Sequence, residues 1–201
     1  MHQIRSFVVG KKRGLLVKRY ILAGAPGAGK TTILRGLRER GWAVVEEAAT
    51  DVIAREQAVG VSEPWRRGDF IDKIVAVQRE RQQQPVPDGA KVQFYDRSPL
   101  CTLALARYLG QPATTTLIRE IARVASGQVF DRVVFFVRPL GFIVPTAARR
   151  ICYGDSLKFE TIHEAVYRDH GFEIVNVAAG VVEQRVTAIE ARVTEERLIA
   201  L

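Results

Sequence analysis

The stretch "RYILAGAPGAGKTTILRGL", residues 19–37, constrains this chain more than any other. A strand-like apolar run ending at Ala23 leads into Gly24-Ala25-Pro26-Gly27-Ala28-Gly29-Lys30-Thr31-Thr32, and a helical pattern follows. Strand, glycine-rich loop and helix in that order make GxxxxGK[ST] a structural signal rather than a chance match. Glycines 24, 27 and 29 let successive backbone N–H groups turn inward on an anion, and the helix adds its positive N-terminal end. Residues 24–32 are therefore the expected phosphate cradle. Lys30 is expected to reach the β- and γ-phosphates and Thr31 to set its hydroxyl on a metal ion, with ATP and Mg2+ as the cofactors. The loop leaves the fate of the γ-phosphate open: loss to water, transfer to a small molecule, or retention as a switch.

From Arg19 onward, short β-branched runs alternate with helical patterns, which argues for βαβ units and a parallel sheet, an α/β fold. Strands are expected at 20–23, 42–46, 92–95, Val133–Val137 and Glu173–Val177. Helical stripes run through Ile71, Ile74, Val75 and Gln78; through Leu117, Ile118, Ile121 and Val124; through Phe159, Ile162 and Val166; and through Val182, Val186, Ile189 and Val193. Residues 82–90 are polar and turn-rich and read as a surface connection. Residues 138–156 mix Pro, Gly and arginines and read as a lid loop. Residues 1–18 form an extension with a basic cluster at Lys11, Lys12 and Arg13, and 19–201 read as one domain.

Phosphoryl chemistry needs further groups. "VQFYDRS" ends a strand at Asp96, on the edge of a parallel sheet where ligands gather. With Thr31 it would hold Mg2+, an ion that gives up its water shell reluctantly; the alternative is a cap for the helix beginning near Pro99. "WAVVEEAATDVI" sets Glu46 and Glu47 where the second strand meets its helix. There a carboxylate can orient or deprotonate an acceptor hydroxyl, or stand as a surface acid favoured by the helix dipole. Planar guanidinium groups neutralise a transferring phosphoryl group, and Arg97, Arg149 and Arg150 are the candidates, solvated charge being the alternative for the last two. Trp65, Arg66 and Arg67 either line an acceptor pocket or simply pack. His163, His170 and Cys101 read as structural.

The charge of +8 over 201 residues points to anionic partners, nucleotides and phosphorylated metabolites included, but no RNA-binding aromatic signature or zinc-finger spacing accompanies it. Two cysteines, Cys101 and Cys152, without metal or disulfide spacing, fit a reducing, cytoplasmic compartment. No apolar run approaches the roughly 18 residues that span a membrane.

Together these motifs resemble the P-loop kinase-like ATPase family that contains the AAA-labelled ATP-binding domain related to ribosylnicotinamide kinases. The resemblance runs from about Arg19 to Val193 and rests on "GAPGAGKTT", "VVEEAA", "FYDRSPLCTLALARYLG", "TAARRICYGDSLKFETIHEAVYRDHGFEIVNV" and "EQRV". It implies a three-layer α/β/α P-loop NTPase fold of kinase type, with a five-stranded parallel sheet in the order 2-3-1-4-5. It aligns Glu47 with the acid after the second strand, Asp96-Arg97 with the acid–arginine step of deoxynucleoside kinases, and Arg149 and Arg150 with an arginine-bearing lid. Thr50 departs from relatives that carry a basic residue after "EAA".

The γ-phosphate has three possible fates. A Mg-dependent kinase for a nucleoside-like or phosphometabolite acceptor uses both acid sites and the lid. An ATPase or nucleotide-binding regulator lacks an acceptor. A nucleic-acid-end kinase would suit the positive charge but needs a basic groove. The chain carries no Asn-Lys-x-Asp guanine-reading motif. The small-molecule kinase is favoured.

Overall fold

The computed structural model describes residues 17–126, 129–141 and 152–199. Five strands, β1 (Lys18–Ala23), β2 (Ala43–Val45), β3 (Val92–Asp96), β4 (Val133–Val137) and β5 (Glu173–Val177), form one parallel sheet in the order β2-β3-β1-β4-β5. This is the 2-3-1-4-5 order expected. β1 lies at the centre, with Leu22 opposite Asp96 of β3 and Ile21 opposite Val134 of β4. The connecting helices are α1 (Lys30–Glu39), α2 (Ala48–Ala58), α3 (Phe70–Gln83), α4 (Pro99–Tyr108), α5 (Thr115–Ser126), α6 (Tyr153–Asp169) and α7 (Val182–Ile199). A single 3-10 turn, Pro64–Arg66, precedes α3.

β4 is an unbroken apolar run and β1 is apolar from Tyr20 onward, because helices cover both faces of the sheet. Tyr20, Leu22, Phe94 and Phe135 point to one face, where Ile33 and Leu37 of α1 and Val186, Ile189 and Val193 of α7 close a buried layer. Ile21, Ala23, Tyr95 and Phe136 alternate to the other face, against Ile74 of α3, Leu100 of α4, Leu117 of α5 and Val166 of α6. The result is three layers. Arg40, just past α1, ion-pairs with Glu183 and Glu190 of α7, and Trp42 Nε1 donates to Glu190 Oε1 at 2.6 Å, so the two helices of the first face are bound to each other.

Several boundaries differ from expectation. β2 is only Ala43–Val45, a short, half-buried edge strand. Gln82 and Gln83 belong to α3, not to a loop: Gln82 is buried, its side chain accepting from Arg123 and its carbonyl from Arg19 Nη1 at 3.1 Å. Polar composition there marks buried hydrogen bonding rather than solvent. The stretch expected as a lid ends earlier, because α6 starts at Tyr153, capped by Cys152 Sγ accepting from the Asp155 N–H at 3.4 Å. The α7 stripe begins a turn late, since Val182 is exposed while Val186, Ile189 and Val193 are buried. Arg149 and Arg150, with the basic cluster at Lys11, Lys12 and Arg13, lie outside the described residues. Among the described residues no helix is long and apolar enough to cross a membrane.

Candidate functional site

After Ala23 the chain passes close under β4. A Cβ on Gly24 would stand 2.4 Å from the Val137 carbonyl oxygen, and Gly24 has a φ of +124°, so only glycine fits there. The loop ends at Gly29, which caps α1 with a φ of +91°. Lys30 opens α1 and is buried; its Nζ donates to the Gly24 and Ala25 carbonyls at 3.1 and 2.8 Å. Burial and the charge of Arg97 lower its pKa to about 7, against the opposing pull of Asp96 and Glu47. Thr31 and Thr32 follow, exposed, in the first turn.

Asp96, the last residue of β3, is buried beside the loop. Arg97 follows with a φ of +74°, the one non-glycine residue in the left-handed region among those described. That backbone is strained for a long side chain and persists where surroundings over-determine it. Here its N–H donates to Leu22 O at 3.1 Å and its Nε to Glu47 Oε1 at 2.5 Å, while Nη1 reaches Gly24 O at 3.4 Å and His163 Nε2 at 3.2 Å. The turn thus aims the guanidinium across the phosphate loop.

Glu47 caps α2 from the end of the second strand, and its Oε2 accepts from Thr50 Oγ1 at 2.8 Å. Burial opposes its ionisation, but the charges of Arg97 and Lys30 prevail and hold its pKa down at about 2. For Arg97 burial likewise opposes the charge, and Glu47 more than restores it. His163 of α6 is fully buried. Its Nδ1 lies 3.0 Å from the Phe159 carbonyl, which can only accept, so Nδ1 carries the proton and Nε2 is left to accept from Arg97. Burial and the neighbouring arginine keep this ring neutral, far below its ordinary pKa.

Two cavities of about 300 Å³ each meet at Glu47. The larger wall area of the first is apolar, from Ile53, Trp65, Phe70, Leu105, Tyr108 and Phe159, and it reaches Pro26 of the loop. Gln78, whose Oε1 accepts from Thr102 Oγ1 at 3.0 Å, and Glu63 add polar groups, and Arg97 is the one cation that lines it among the described residues. The second cavity is lined by Thr31, Arg35, Arg38, Glu46, Asp51 and Asp96, with Glu47 and Thr50 shared between the two.

The oxygen donors on the second cavity suit a hard cation. Among the described residues no group of three His, Cys, Asp or Glu side chains could hold a metal ion alone. The Thr31 hydroxyl and Asp96 carboxylate instead fit magnesium, which keeps waters and takes other ligands from a nucleotide's phosphates.

The family model described as "AAA domain" matches residues 19–185, most of the chain. The chain belongs to that family. No curated protein sequence matches it. Among solved structures, it is similar to a deoxyadenosine kinase from M. mycoides with dCMP and dCDP bound, at 14% identity and a TM-score of 0.58, covering 88% of this chain and 98% of the other. It is similar to a NadR protein in complex with NAD and AMP-PNP, at 16% identity and a TM-score of 0.62, covering 87% of this chain but 48% of that one. A shikimate kinase from Acinetobacter baumannii with shikimate follows, at 16% identity and a TM-score of 0.54, covering 92% and 97%. The fold is that of the P-loop kinases.

Within this AAA-domain chain, Lys30, Thr31, Glu47, Asp96 and Arg97 gather around the loop. Three residues that sequence reasoning did not single out as site residues also stand there. His163 read as structural, and it does stay buried, but against Arg97. Gln78 was legible only as a member of the α3 stripe, which here carries an amide into a cavity. Arg185 of α7, the arginine of the "EQRV" motif, is buried with Nη1 on Ala28 O at 2.8 Å, a placement that the motif alone does not give.

Proposed function

We propose that this protein is a Mg-dependent kinase that moves the γ-phosphate of ATP to a hydroxyl of an unphosphorylated, nucleoside-like small molecule. One observation carries the reading: a cavity with aromatic and aliphatic walls opens directly between the phosphate loop and the Glu47–Arg97 pair. A nucleotide hydrolase needs room for water there; a ring-bearing acceptor needs apolar walls and a few placed polar groups.

The charges support an acceptor without a phosphate of its own. Arg97, the one cation on this cavity among the described residues, is already bound to Glu47, and Glu47 and Glu63 add negative charge. A flat ring between Trp65, Tyr108 and Phe159 can take a hydrogen bond from the Gln78 NH2, because Thr102 occupies the oxygen end of that amide. The acceptor hydroxyl then lies towards Glu47.

Glu47, held ionised at a pKa of about 2, is a weak base. Its role is to accept a hydrogen bond from the hydroxyl and orient the oxygen, taking the proton only as the phosphoryl group arrives. That order suits a loose transition state in which nucleophile deprotonation is late. Lys30 turns from the loop carbonyls to the β- and γ-phosphates, and the loop N–H groups hold them. Arg97 stabilises the charge on the transferring group. Thr31 and Asp96 would hold Mg2+, which supplies charge neutralisation on the phosphates.

The test is an acceptor screen with ATP and Mg2+ over purine and pyrimidine nucleosides, ribosylnicotinamide and the corresponding 5′-monophosphates. Nucleosides are expected to accelerate ADP release and to appear as monophosphates, with the phosphorylated compounds inactive. ADP release unchanged by every acceptor would replace this reading with an ATPase. Phosphorylation of oligonucleotide ends, weakening steeply with salt, would replace it with a nucleic-acid-end kinase.

A further inference from the structure

Arg185 lies on α7, in its first turn, and is 4% exposed. Buried cations are ordinarily matched by a carboxylate. Arg185 has none among the described residues. Its Nη1 donates to the Ala28 carbonyl at 2.8 Å, its Nη2 to the Arg138 carbonyl at 2.9 Å, and its Nε is buried without a hydrogen-bond partner. Burial alone accounts for the lowering of its pKa.

The placement is close to the loop. A Cβ on Gly29 would stand 3.0 Å from Arg185 Nη1, so the glycine that caps α1 also admits this guanidinium. Ala28 belongs to the phosphate cradle, and Arg138 is the first residue after β4, which backs Gly24 through Val137. One side chain therefore ties the loop to the neighbouring strand end, from a helix 157 positions away in sequence.

We propose that Arg185 is a positioning residue for nucleotide binding, a second cation of the phosphate loop whose counter-charge is the polyphosphate of the bound nucleotide. The proposal rests on the ATP-binding reading above. Its two carbonyl bonds hold residues 28 and 29 in the shape that presents their N–H groups. Its charge, with no carboxylate among the described residues to cancel it, adds to that of Lys30 in a buried setting where fields are weakly screened. A protein carboxylate at this position would have neutralised the field the loop uses.

Charge and hydrogen bonding separate in two variants of the full chain. Arg185→Lys keeps the charge, Arg185→Gln keeps only donors, and each can bond a carbonyl. Affinity for Mg·ATP is measured by titration calorimetry, with steady-state kinetics for the best acceptor and the melting temperature of the nucleotide-free protein. Arg185→Gln is expected to raise the Kd and KM for ATP about tenfold, leaving the acceptor KM and kcat within twofold, while Arg185→Lys stays within about threefold of wild type. Equal ATP affinity in the two variants would overturn the proposal, as would failure of both to fold, which would make Arg185 a strut. A wild-type chain that binds no adenine nucleotide would instead overturn the parent reading, and this one with it.

Discussion

The two cavities beside Glu47 have the same volume and opposite chemistry. One is walled by Trp65, Phe70, Tyr108 and Phe159 and suits a ring; the other, lined by Thr31, Arg35, Asp51 and Asp96, suits hydrated ions and phosphate oxygens. Both are built from the same α/β scaffold, and the divide between them is a single residue pair, Glu47 with Thr50. The difference teaches where reaction can occur. In the proposed kinase reaction a phosphoryl group comes from the polar side, an acceptor from the apolar side, and they meet where Glu47 and Arg97 bond at 2.5 Å.

The largest effect is expected from removing the lysine of the phosphate loop, which donates to the Gly24 and Ala25 carbonyls. Lys30→Ala should lower turnover by about 10³-fold or more, since a fixed charge aimed at the transferring group is among the strongest contributions an enzyme makes. Asp96→Asn should follow at about 10²–10³-fold. Neither should change binding of an acceptor, measured without nucleotide. A loss of acceptor affinity in Lys30→Ala would show that the cavities are not independent.

Glu47→Gln breaks the divide itself. It keeps the side-chain volume and an acceptor for Arg97, but an amide cannot take the hydroxyl proton. The expected loss is about 10²-fold in kcat, with both KM values little changed. Raised acceptor KM with intact kcat would make Glu47 a binding group only.

The same pair carries a pH signature. Glu47 has a folded-state pKa of about 2, below its ordinary 4.5. A depressed carboxylate contributes stability that is fully present above its unfolded value and is lost as pH falls towards the folded one. Between pH 4.5 and pH 3, wild type should therefore lose on the order of 2 kcal/mol more than Glu47→Gln in urea unfolding, from 1.36 kcal/mol per pKa unit. Parallel curves would mean that the charges of Arg97 and Lys30 do not reach Glu47 as the geometry has it.

The two sides also differed in how they could be read from residues alone. The polar side is written locally: the glycines, Lys30 and Thr31 are contiguous, and Asp96-Arg97 ends a strand whose apolar run points to the sheet's ligand edge. Even there, the left-handed turn at Arg97 was not legible, because it follows from four acceptors contributed by β1, the loop, the cap of α2 and α6. The apolar side is assembled from α2, α3, α4, α6 and the turn at Pro64–Arg66, so apart from Trp65, which read as either pocket wall or packing, its apolar residues register in sequence at most as core positions. Gln78 shares a stripe with Ile71, Ile74 and Val75, and nothing local tells a buried amide facing a cavity from one facing the core. Arg185 stands in the "EQRV" motif, but its partner Ala28 is 157 positions away, so its place beside the loop was not legible. Fold order survives this limit because parallel strands with helices on both faces repeat a pattern at short range; cavity walls do not.

Smaller effects should be confined to the apolar side. Trp65→Ala is expected to raise the acceptor KM about 10–30-fold while leaving the KM for ATP and any acceptor-free hydrolysis unchanged, as loss of a wall in a ring-binding cavity requires. Trp65 is only partly buried against the core, so the fold should tolerate the change. An equal rise in the KM for ATP would mean that the wall also supports the loop through Pro26.

The smallest effect tests how the acceptor is oriented. Thr102→Val removes the hydroxyl that donates to Gln78 Oε1 at 3.0 Å and leaves the cavity's shape nearly intact. If Thr102 acts by turning the Gln78 NH2 towards the acceptor, Thr102→Val should raise the acceptor KM about three- to fivefold, and Gln78→Ala about tenfold, within the range of one neutral hydrogen bond. In the double variant the two losses should not multiply, because both remove the same contact. Multiplying losses would separate the residues, leaving Thr102 as packing and Gln78 as an independent contact. The KM for ATP is the internal control throughout: neither residue lines the polar cavity, so a change there would count against the division of labour on which the mechanism stands.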